Sequence, residues 1–427
     1  MAGLGGLQET TSYKVVIPFY AYGAASFLVA AILLLLHTDI AGLPNFNPAA
    51  LMLTHLMALG WGTMVIFGAS HQLLPVLISG KLHSRKLAKI TFYFAAVGIP
   101  FLIIGFYNFK FDWVLKTGAM LVNIGTLAYL VNVFLSIRNS EKLEIHAWYV
   151  AGASIWLFST TFFGLLLVYN FHSGKILPEN SISYLSLHAH LGLIGWFLLL
   201  VSGVGSKLIP LFLISKYHSK TALWWIFGLI NSSLISFILL RLSQADAVWY
   251  YLPVSLVFTA VLLLGLYCRN AYKTRIRKKV DNQVRLSMIS VFQMLLPVIS
   301  LVVIITLLPV SEHPNLVILY GFCIFFGWIT AIIMGMTFKT LPFIVWNKVY
   351  EKGKRVKNTN PPAPKALFNE KIYNGSMISY LIGFVIFAIG ILLLNNFVLK
   401  TGAAVLLLSA VLYTVNVCLT LLHKPKK

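Results

Sequence analysis

Twelve runs of mostly apolar residues, each long enough to cross a lipid bilayer, follow one another along almost the whole chain. A transmembrane helix needs about 20 such residues, because the hydrocarbon core of a bilayer is about 30 Å thick. Hydrophobic residues make up 59% of the chain and charged residues only 10%, so no soluble domain fits between the runs. We therefore predict an all-α integral membrane protein that forms a single membrane domain over residues 1–427. The predicted spans are 14–36, 49–79, 87–108, 112–137, 146–170, 183–215, 220–240, 247–268, 285–309, 314–346, 375–395 and 398–422.

The net charge of +22 arises from 33 Lys and Arg against 11 Asp and Glu, a balance that by itself would suggest nucleic-acid binding. The basic residues, however, lie in the connections after the even-numbered spans, whereas the connections after odd-numbered spans are nearly neutral. This alternation follows the positive-inside rule. We therefore predict a multi-pass protein of a bacterial cytoplasmic (inner) membrane, with both termini in the cytoplasm. The lipid bilayer is the expected partner, and nucleic acid is not.

The second, sixth and tenth spans share one motif: Gly-Trp, then Gly seven residues after the Trp, then Pro seven residues later. The offset is 135 residues between the first two copies and 132 between the second and third. A constant offset indicates an internal repeat, and glycines at fixed positions favour close helix packing in membranes. We predict three four-helix units with pseudo-threefold symmetry, at approximately 14–137, 146–268 and 285–422, with a basic, Pro-rich cytoplasmic linker at 348–374. The copies are Gly60-Trp61, Gly68, Pro75; Gly195-Trp196, Gly203, Pro210; and Gly327-Trp328, Gly335, Pro342.

Four of the 11 histidines lie well inside predicted spans, whereas the other seven, His146 among them, lie in or beside the connections, where we expect them to be solvated. His55 and His190 both precede their Gly-Trp by five residues, so they share one depth near the outer surface, where the third repeat has Phe322. His188 is two residues before His190, a rotation of about 200° on a helix, so the two point into different grooves. An imidazole inside a span is a functional candidate by default. His71 lies roughly 24 Å further along the helix from His55, so we expect it to have a structural or headgroup role.

Histidines spaced widely on long helices suit haem iron best, because one imidazole on each face of the haem completes the coordination. Copper is a second candidate, although His188 and His190 diverge and would need further ligands. Zinc is not expected, because no nearby Cys, Asp or Glu completes a tetrahedral set. The three cysteines are scattered and form no CxxC pair: Cys268, Cys323 and Cys418.

Three four-helix units with interior histidines on the second helix of a unit resemble subunit I of the haem–copper oxidase superfamily, whose twelve helices have pseudo-threefold symmetry. The resemblance covers all twelve spans. The segment LHAHLGLIGWFLLLVSGVGSKLIP looks especially like the His-x-His helix of the C-family oxidases and the related nitric oxide reductases. The resemblance implies that His188 binds a high-spin haem and that His190 and His55 bind a low-spin haem b. It also implies an electron-donor cytochrome or a partner membrane subunit.

The chain departs from that superfamily in three respects. The family carries its His-x-His on the tenth helix, whereas here it lies on the sixth. The family's copper histidines on the sixth and seventh helices have no counterpart, and all eleven acidic residues lie in loops or near span ends. Oxygen reduction with proton pumping is therefore not expected, because no carboxylate relay can be drawn through the membrane.

A second resemblance involves the helix that carries His55. Its segment THLMALGWGTMVIFGASHQLLP is similar to the histidine-bearing helix of the NnrS family, twelve-span haem and copper membrane proteins linked to nitrosative stress. Those proteins have an added histidine and a glutamate around this position, where Leu53 and Leu56 stand here.

These patterns favour a divergent haem-binding membrane protein with a redox function, or one related to nitric oxide or oxygen. In its minimal form, a b-type haem is held by His55 and either His190 or His188. Threefold symmetry would turn His190 towards the next groove and His188 back towards His55, whereas the oxidase resemblance favours His190, so both stay open. The alternatives are an NnrS-like nitric oxide stress protein, and a transporter or assembly factor that kept the fold without redox chemistry. Whether the chain catalyses a reaction is left open.

Overall fold

The computed structural model of the protein describes residues 11–140, 142–174, 176–307, 313–351 and 361–424, and no β-strand occurs among them. Twelve helices in these residues are long and apolar enough to cross a membrane, as predicted. Their ends differ from the predicted ones by at most five residues, mainly where helical hydrogen bonding continues beyond the apolar stretch. They are α1 Tyr13–Leu36, α2 Pro48–Leu77, α3 Arg85–Tyr107, α4 Trp113–Arg138, α5 Ile145–His172, α6 Ser181–Leu213, α7 Lys220–Leu242, α8 Ala247–Lys273, α9 Asn282–Thr306, α10 Pro314–Tyr350, α11 Glu370–Leu393 and α12 Asn396–Leu421.

The three helices that carry the repeated motif form the centre of the molecule. In the apolar windows of α2, α6 and α10, 72%, 72% and 61% of residues are buried, against 50% or less in the other nine helices of the described chain. We call the sequence repeats unit 1 (α1–α4), unit 2 (α5–α8) and unit 3 (α9–α12). We call the end of the bundle with the basic connections the basic end, and the opposite end the neutral end.

Each motif helix contains a stretch of π-helix in the same repeat register. The stretches are Leu56–Thr63, Leu191–Leu198 and Cys323–Ile329, and each includes the Gly-Trp pair. A π-helix is rare and usually occurs as a single turn near a functional site. A π-helical turn is wider than an α-helical turn, so it rotates the part of the helix before it relative to the part after it. The π-helical stretches therefore affect which neighbouring helix the preceding histidines face.

The second glycine of each motif copy packs against the first helix of its own unit. A Cβ atom on Gly68 would come within 2.8 Å of Phe19 on α1, and one on Gly203 would overlap Tyr149 on α5. In unit 3, a Cβ on Gly335 would overlap Ser287 on α9. These glycines therefore allow the close approach of helices that the repeat predicts.

The tryptophans of the motif connect neighbouring units. The indole N–H of Trp61 donates to Thr330 Oγ1 at 3.0 Å, which joins unit 1 to unit 3. Trp196 donates to Thr63 Oγ1 at 3.1 Å, which joins unit 2 to unit 1. Each acceptor lies two residues after the motif Trp of its own copy. At the boundary between units 2 and 3 the equivalent acceptor position is Leu198, which cannot accept a hydrogen bond.

Equivalent lysines on α6 and α10 pair with carboxylates at the basic end. Lys207 lies 3.2 Å from Glu144, and Lys339 contacts Asp281. Partial burial raises the pKa of the Glu144 carboxyl, but Lys207 and nearby histidines outweigh this effect and lower the pKa overall. His146, predicted to be a solvated loop residue, is instead only 1% exposed, because α5 starts at residue 145 and carries it into the bundle.

The predicted linker at 348–374 is shorter in the structure. Helix α10 continues to Tyr350 and α11 already begins at Glu370. A short 3₁₀ turn at Pro364–Leu367 precedes α11. Residues 352–360 of the predicted linker lie outside the described residues.

We predict that Gly203→Ala destabilises the protein by about 1–3 kcal/mol, the usual cost of overpacking a close-packed core, because the added methyl group overlaps Tyr149 next to its backbone. The matched control is Gly265→Ala on α8, where an added Cβ meets nothing within 4 Å. Both changes replace a helical glycine and share the same gain in helix propensity. Thermal unfolding of both variants in detergent measures the effect, and equal midpoints would contradict the packing argument.

Candidate metal centre

The side chain of His55 is oriented by its own helix. Asn47 caps the start of α2 by accepting a hydrogen bond from the Ala50 N–H, and Pro48 occupies the first turn. One turn before His55, the carbonyl of Leu51 lies 2.8 Å from Nδ1 of its ring. A carbonyl only accepts, so Nδ1 carries the proton and Nε2 keeps a free lone pair. This is the usual arrangement in which a second contact fixes the tautomer of a metal-ligating histidine.

His55 and His188 face each other across the boundary between units 1 and 2. Their ring centres are 6.2 Å apart and the ring planes differ by 22°. Two imidazoles that bind one metal ion from opposite sides have ring centres roughly 6 Å apart, because each metal–nitrogen bond is about 2.0–2.1 Å long. The separation therefore suits one metal ion between the two rings.

The ring of His188 lies in a fitted space on α5. A Cβ atom on Gly164 would come within 2.7 Å of the His188 ring, so only glycine leaves room for it. The Nδ1 atom of His188 is buried and makes no well-formed hydrogen bond with the described residues, and the Thr160 backbone is the polar group near this ring. A buried polar atom without a partner costs about 1–3 kcal/mol, a cost that a bound ligand can remove.

The two rings line a cavity of about 540 Å³, which we call the first cavity. Its volume lies within the range of about 300–1,000 Å³ that is typical of cofactor sites. Phe46 and Phe111 both pack on Phe171, with ring centres 5.3 Å and 4.5 Å apart, and all three line the cavity. No charged side chain is found in the lining that the structure describes. The cavity therefore suits a large, mostly apolar group shielded from water.

His190 occupies the same repeat position as His55 but faces the boundary between units 2 and 3. Its Nδ1 lies 2.7 Å from the Ser186 carbonyl, and its Nε2 lies 3.2 Å from the hydroxyl of Tyr320 on α10. The divergence of His188 and His190 that the sequence predicts is therefore present in the structure. Of the two candidate partners for His55, the structure brings His188 within reach and directs His190 elsewhere.

Sequence reasoning missed Tyr320, although the repeat offset marks it. Tyr320 lies 132 residues after His188, so it holds the same position in unit 3 that His188 holds in unit 2. Applied to His190, the same offset leads to Phe322; applied to His188, it leads to Tyr320, which the expectation of imidazole ligands passed over.

His71 is separate from these groups. It is only 1% exposed, stacks on Phe19 with ring centres 5.6 Å apart, and meets Tyr129 edge-on. Its Nδ1 lies 2.7 Å from the Phe67 carbonyl. Burial of this kind fits the expected structural role and leaves no headgroup contact.

No protein-family model matches the chain, and no curated protein matches it with significance. The resemblance to the haem–copper oxidases and to the NnrS family therefore rests on the repeat motif and the histidine positions alone.

Proposed function

We propose that this protein is a divergent haem-binding membrane protein with the three-unit arrangement of haem–copper oxidase subunit I, in which His55 and His188 hold one b-type haem. The observation that supports this proposal best is the 6.2 Å separation of two nearly parallel imidazole rings beside a large apolar cavity. The tautomer that Leu51 imposes on His55 supports it further.

The number of donors favours haem over a bare metal ion. Within the part of the chain that the structure describes, no group of three or more His, Cys, Asp or Glu side chains converges on one point. Copper held by His55 and His188 would need further ligands, and so would zinc. A porphyrin brings four nitrogen donors of its own and leaves only the two axial positions for the protein.

A haem with two histidine ligands has no open coordination position, so electron transfer is the function that this site suits. His55 lies seven residues from the start of α2, roughly 10 Å along the helix. The neutral end is therefore where a donor cytochrome or a partner membrane subunit would exchange electrons with the site. By the positive-inside rule, the basic end and both termini face the cytoplasm of a bacterial inner membrane.

Transport along the axis of the three motif helices is disfavoured. The cavity on this axis measures only about 80 Å³. Its described lining contains no charged side chain and is mainly aliphatic, with Val65, Leu200 and Ile332 at equivalent repeat positions. Its polar groups are the hydroxyls of Tyr20, Ser70, Thr337 and Thr340, so a charged substrate would find no opposite charge there.

We expect purified protein to show the sharp reduced α and β bands of a six-coordinate b-type haem, and His55→Ala and His188→Ala each to abolish that signal, because each removes one axial ligand. The measurement is the air-oxidised and dithionite-reduced optical spectrum, with pyridine haemochrome quantitation and metal analysis.

His71→Ala is the matched control, since His71 is a buried histidine with the same backbone hydrogen bond but lies outside the first cavity. Absence of haem from well-folded wild-type protein would overturn the proposal. Tight binding of nitric oxide without loss of a histidine ligand would favour the NnrS-like alternative, because it requires an open position.

We also predict that Gly164→Ala weakens haem binding by about tenfold or more, the usual effect of disturbing a contact behind a metal ligand. The added methyl group would displace the His188 ring, whereas Gly228→Ala, where a Cβ meets nothing within 4 Å, should leave binding unchanged. Haem titration of both variants after partial haem removal gives the comparison. Equal affinities would show that Gly164 does not position His188.

A further inference from the structure

A second pair of side chains repeats the geometry of His55 and His188 at the next unit boundary. His190 is the repeat equivalent of His55, and Tyr320 is the repeat equivalent of His188. The ring centres of His190 and Tyr320 are 6.0 Å apart and their planes differ by 25°, almost the values of the first pair. The boundary between units 2 and 3 therefore holds a nitrogen donor and an oxygen donor. The equivalent positions at the boundary between units 1 and 2 hold two nitrogen donors.

The surroundings of the two histidines also correspond. His55 packs on Phe106 of α3 with ring centres 4.3 Å apart, and His190 packs on Phe237 of α7 at 4.6 Å. Both phenylalanines belong to the third helix of their own unit. Each histidine also has its Nδ1 next to the carbonyl four residues earlier. The second histidine is thus held as the first one is, with Nε2 directed across the boundary.

The third boundary serves as an internal comparison. Its equivalent positions are Phe322 in unit 3 and Leu53 in unit 1, and Phe322 packs on Phe387 of α11 at 4.7 Å. Neither side chain can bind a metal. Donor pairs are therefore present at two of the three equivalent boundaries, and at the third the same scaffold is filled by apolar packing.

Space for a large ligand adjoins the second pair. A cavity of about 670 Å³, the second cavity, is lined by His190, Tyr320 and mostly aliphatic residues of α7, α8 and α9. His190 and Tyr320 also line the first cavity, so the pair lies between the two cavities. Arg241 is the only charged residue in its described lining, and its guanidinium donates to the Ser183 carbonyl at 2.6 Å. An apolar group of this size with a carboxylate at one edge matches that lining, because the arginine can pair with the carboxylate.

The boundary also lacks a hydrogen bond that is present at the other two boundaries. Leu198 stands where Thr63 and Thr330 accept hydrogen bonds from tryptophans of neighbouring units. The indole N–H of Trp328, which lines the second cavity, therefore has no partner in the described part of the chain. Units 2 and 3 therefore lack the hydrogen bond that joins the other two pairs of units.

We propose that the protein binds a second haem at this boundary, with His190 Nε2 and the phenolate oxygen of Tyr320 as axial ligands and Arg241 paired with a haem carboxylate. The nitrogen and oxygen atoms now lie 3.2 Å apart and would have to separate to about 4 Å, twice a metal–ligand bond length. The Tyr320 O–H bond breaks as the Fe–O bond forms, and the proton is released to solvent, as is usual when metal binding displaces protons. Tyrosine is a known axial ligand of haem iron.

The experiment measures haem per chain in variants purified from haem-replete cells, with monodispersity by size exclusion as the folding check. We expect two haems in the wild type and one in His190→Ala, which retains the bis-histidine spectrum. His55→Ala should also retain one haem, now with the vibrations of an iron–tyrosinate bond in its resonance Raman spectrum. Tyr320→Phe should keep both haems, lose those vibrations and gain carbon monoxide binding at the vacated position.

Two further variants separate ligation from general disturbance. Arg241→Gln should lower occupancy of the second haem only. Tyr251→Phe removes a tyrosine hydroxyl that hydrogen-bonds Thr306 outside the cavity, and it should change neither haem.

A single haem in the wild type, lost in His55→Ala and unaffected by His190→Ala, would overturn this inference and leave the proposed function standing. A single haem that is lost in His190→Ala and kept in His55→Ala would contradict the proposed site at His55 and support the site at His190. If both variants lose the same haem, His190 is the partner of His55 and the second site does not exist.

Discussion

Two hydrogen bonds between indole N–H groups and threonine hydroxyls, from Trp61 to Thr330 and from Trp196 to Thr63, determine how the three central helices meet. In lipid, helices gain little from burying apolar surface against one another, so polar contacts and close steric fit decide their association. The bonds fix the rotation of α2, α6 and α10 about their own axes. The geometry of the histidines, nearer the neutral end, is therefore a consequence of packing deeper in the bundle.

The elements that depend on local composition could be predicted from sequence. Hydropathy gave twelve spans because the length of an apolar run determines whether it crosses a bilayer. The constant offset between motif copies identified equivalent residues, and the two-residue spacing of His188 and His190 correctly predicted that they diverge. These inferences need only the period of a helix and the repeat, without knowledge of how one helix is rotated against another.

Relative rotation is what the sequence left open, because the repeat symmetry favoured His188 as the residue opposite His55 and the oxidase resemblance favoured His190. The π-helical turns at Leu56–Thr63 and Leu191–Leu198 change the direction of the residues before them, and no simple residue pattern marks such turns. The choice of His188 over His190 as the residue opposite His55 depends on that rotation. Tyr320 escaped notice for another reason, because a phenol in a span reads as an ordinary interfacial aromatic.

The order in which the chain is synthesised gives the unit boundaries an order of completion. The bond from Trp196 to Thr63 joins α6 to α2, so the first boundary can close when half of the chain has entered the membrane. Trp61 has to wait for Thr330, which arrives with α10. Because N-terminal segments fold first during synthesis, the nascent protein passes through a stage with one finished boundary and one exposed face of α2. A quality-control factor that recognises unfinished membrane proteins would meet this chain at that stage.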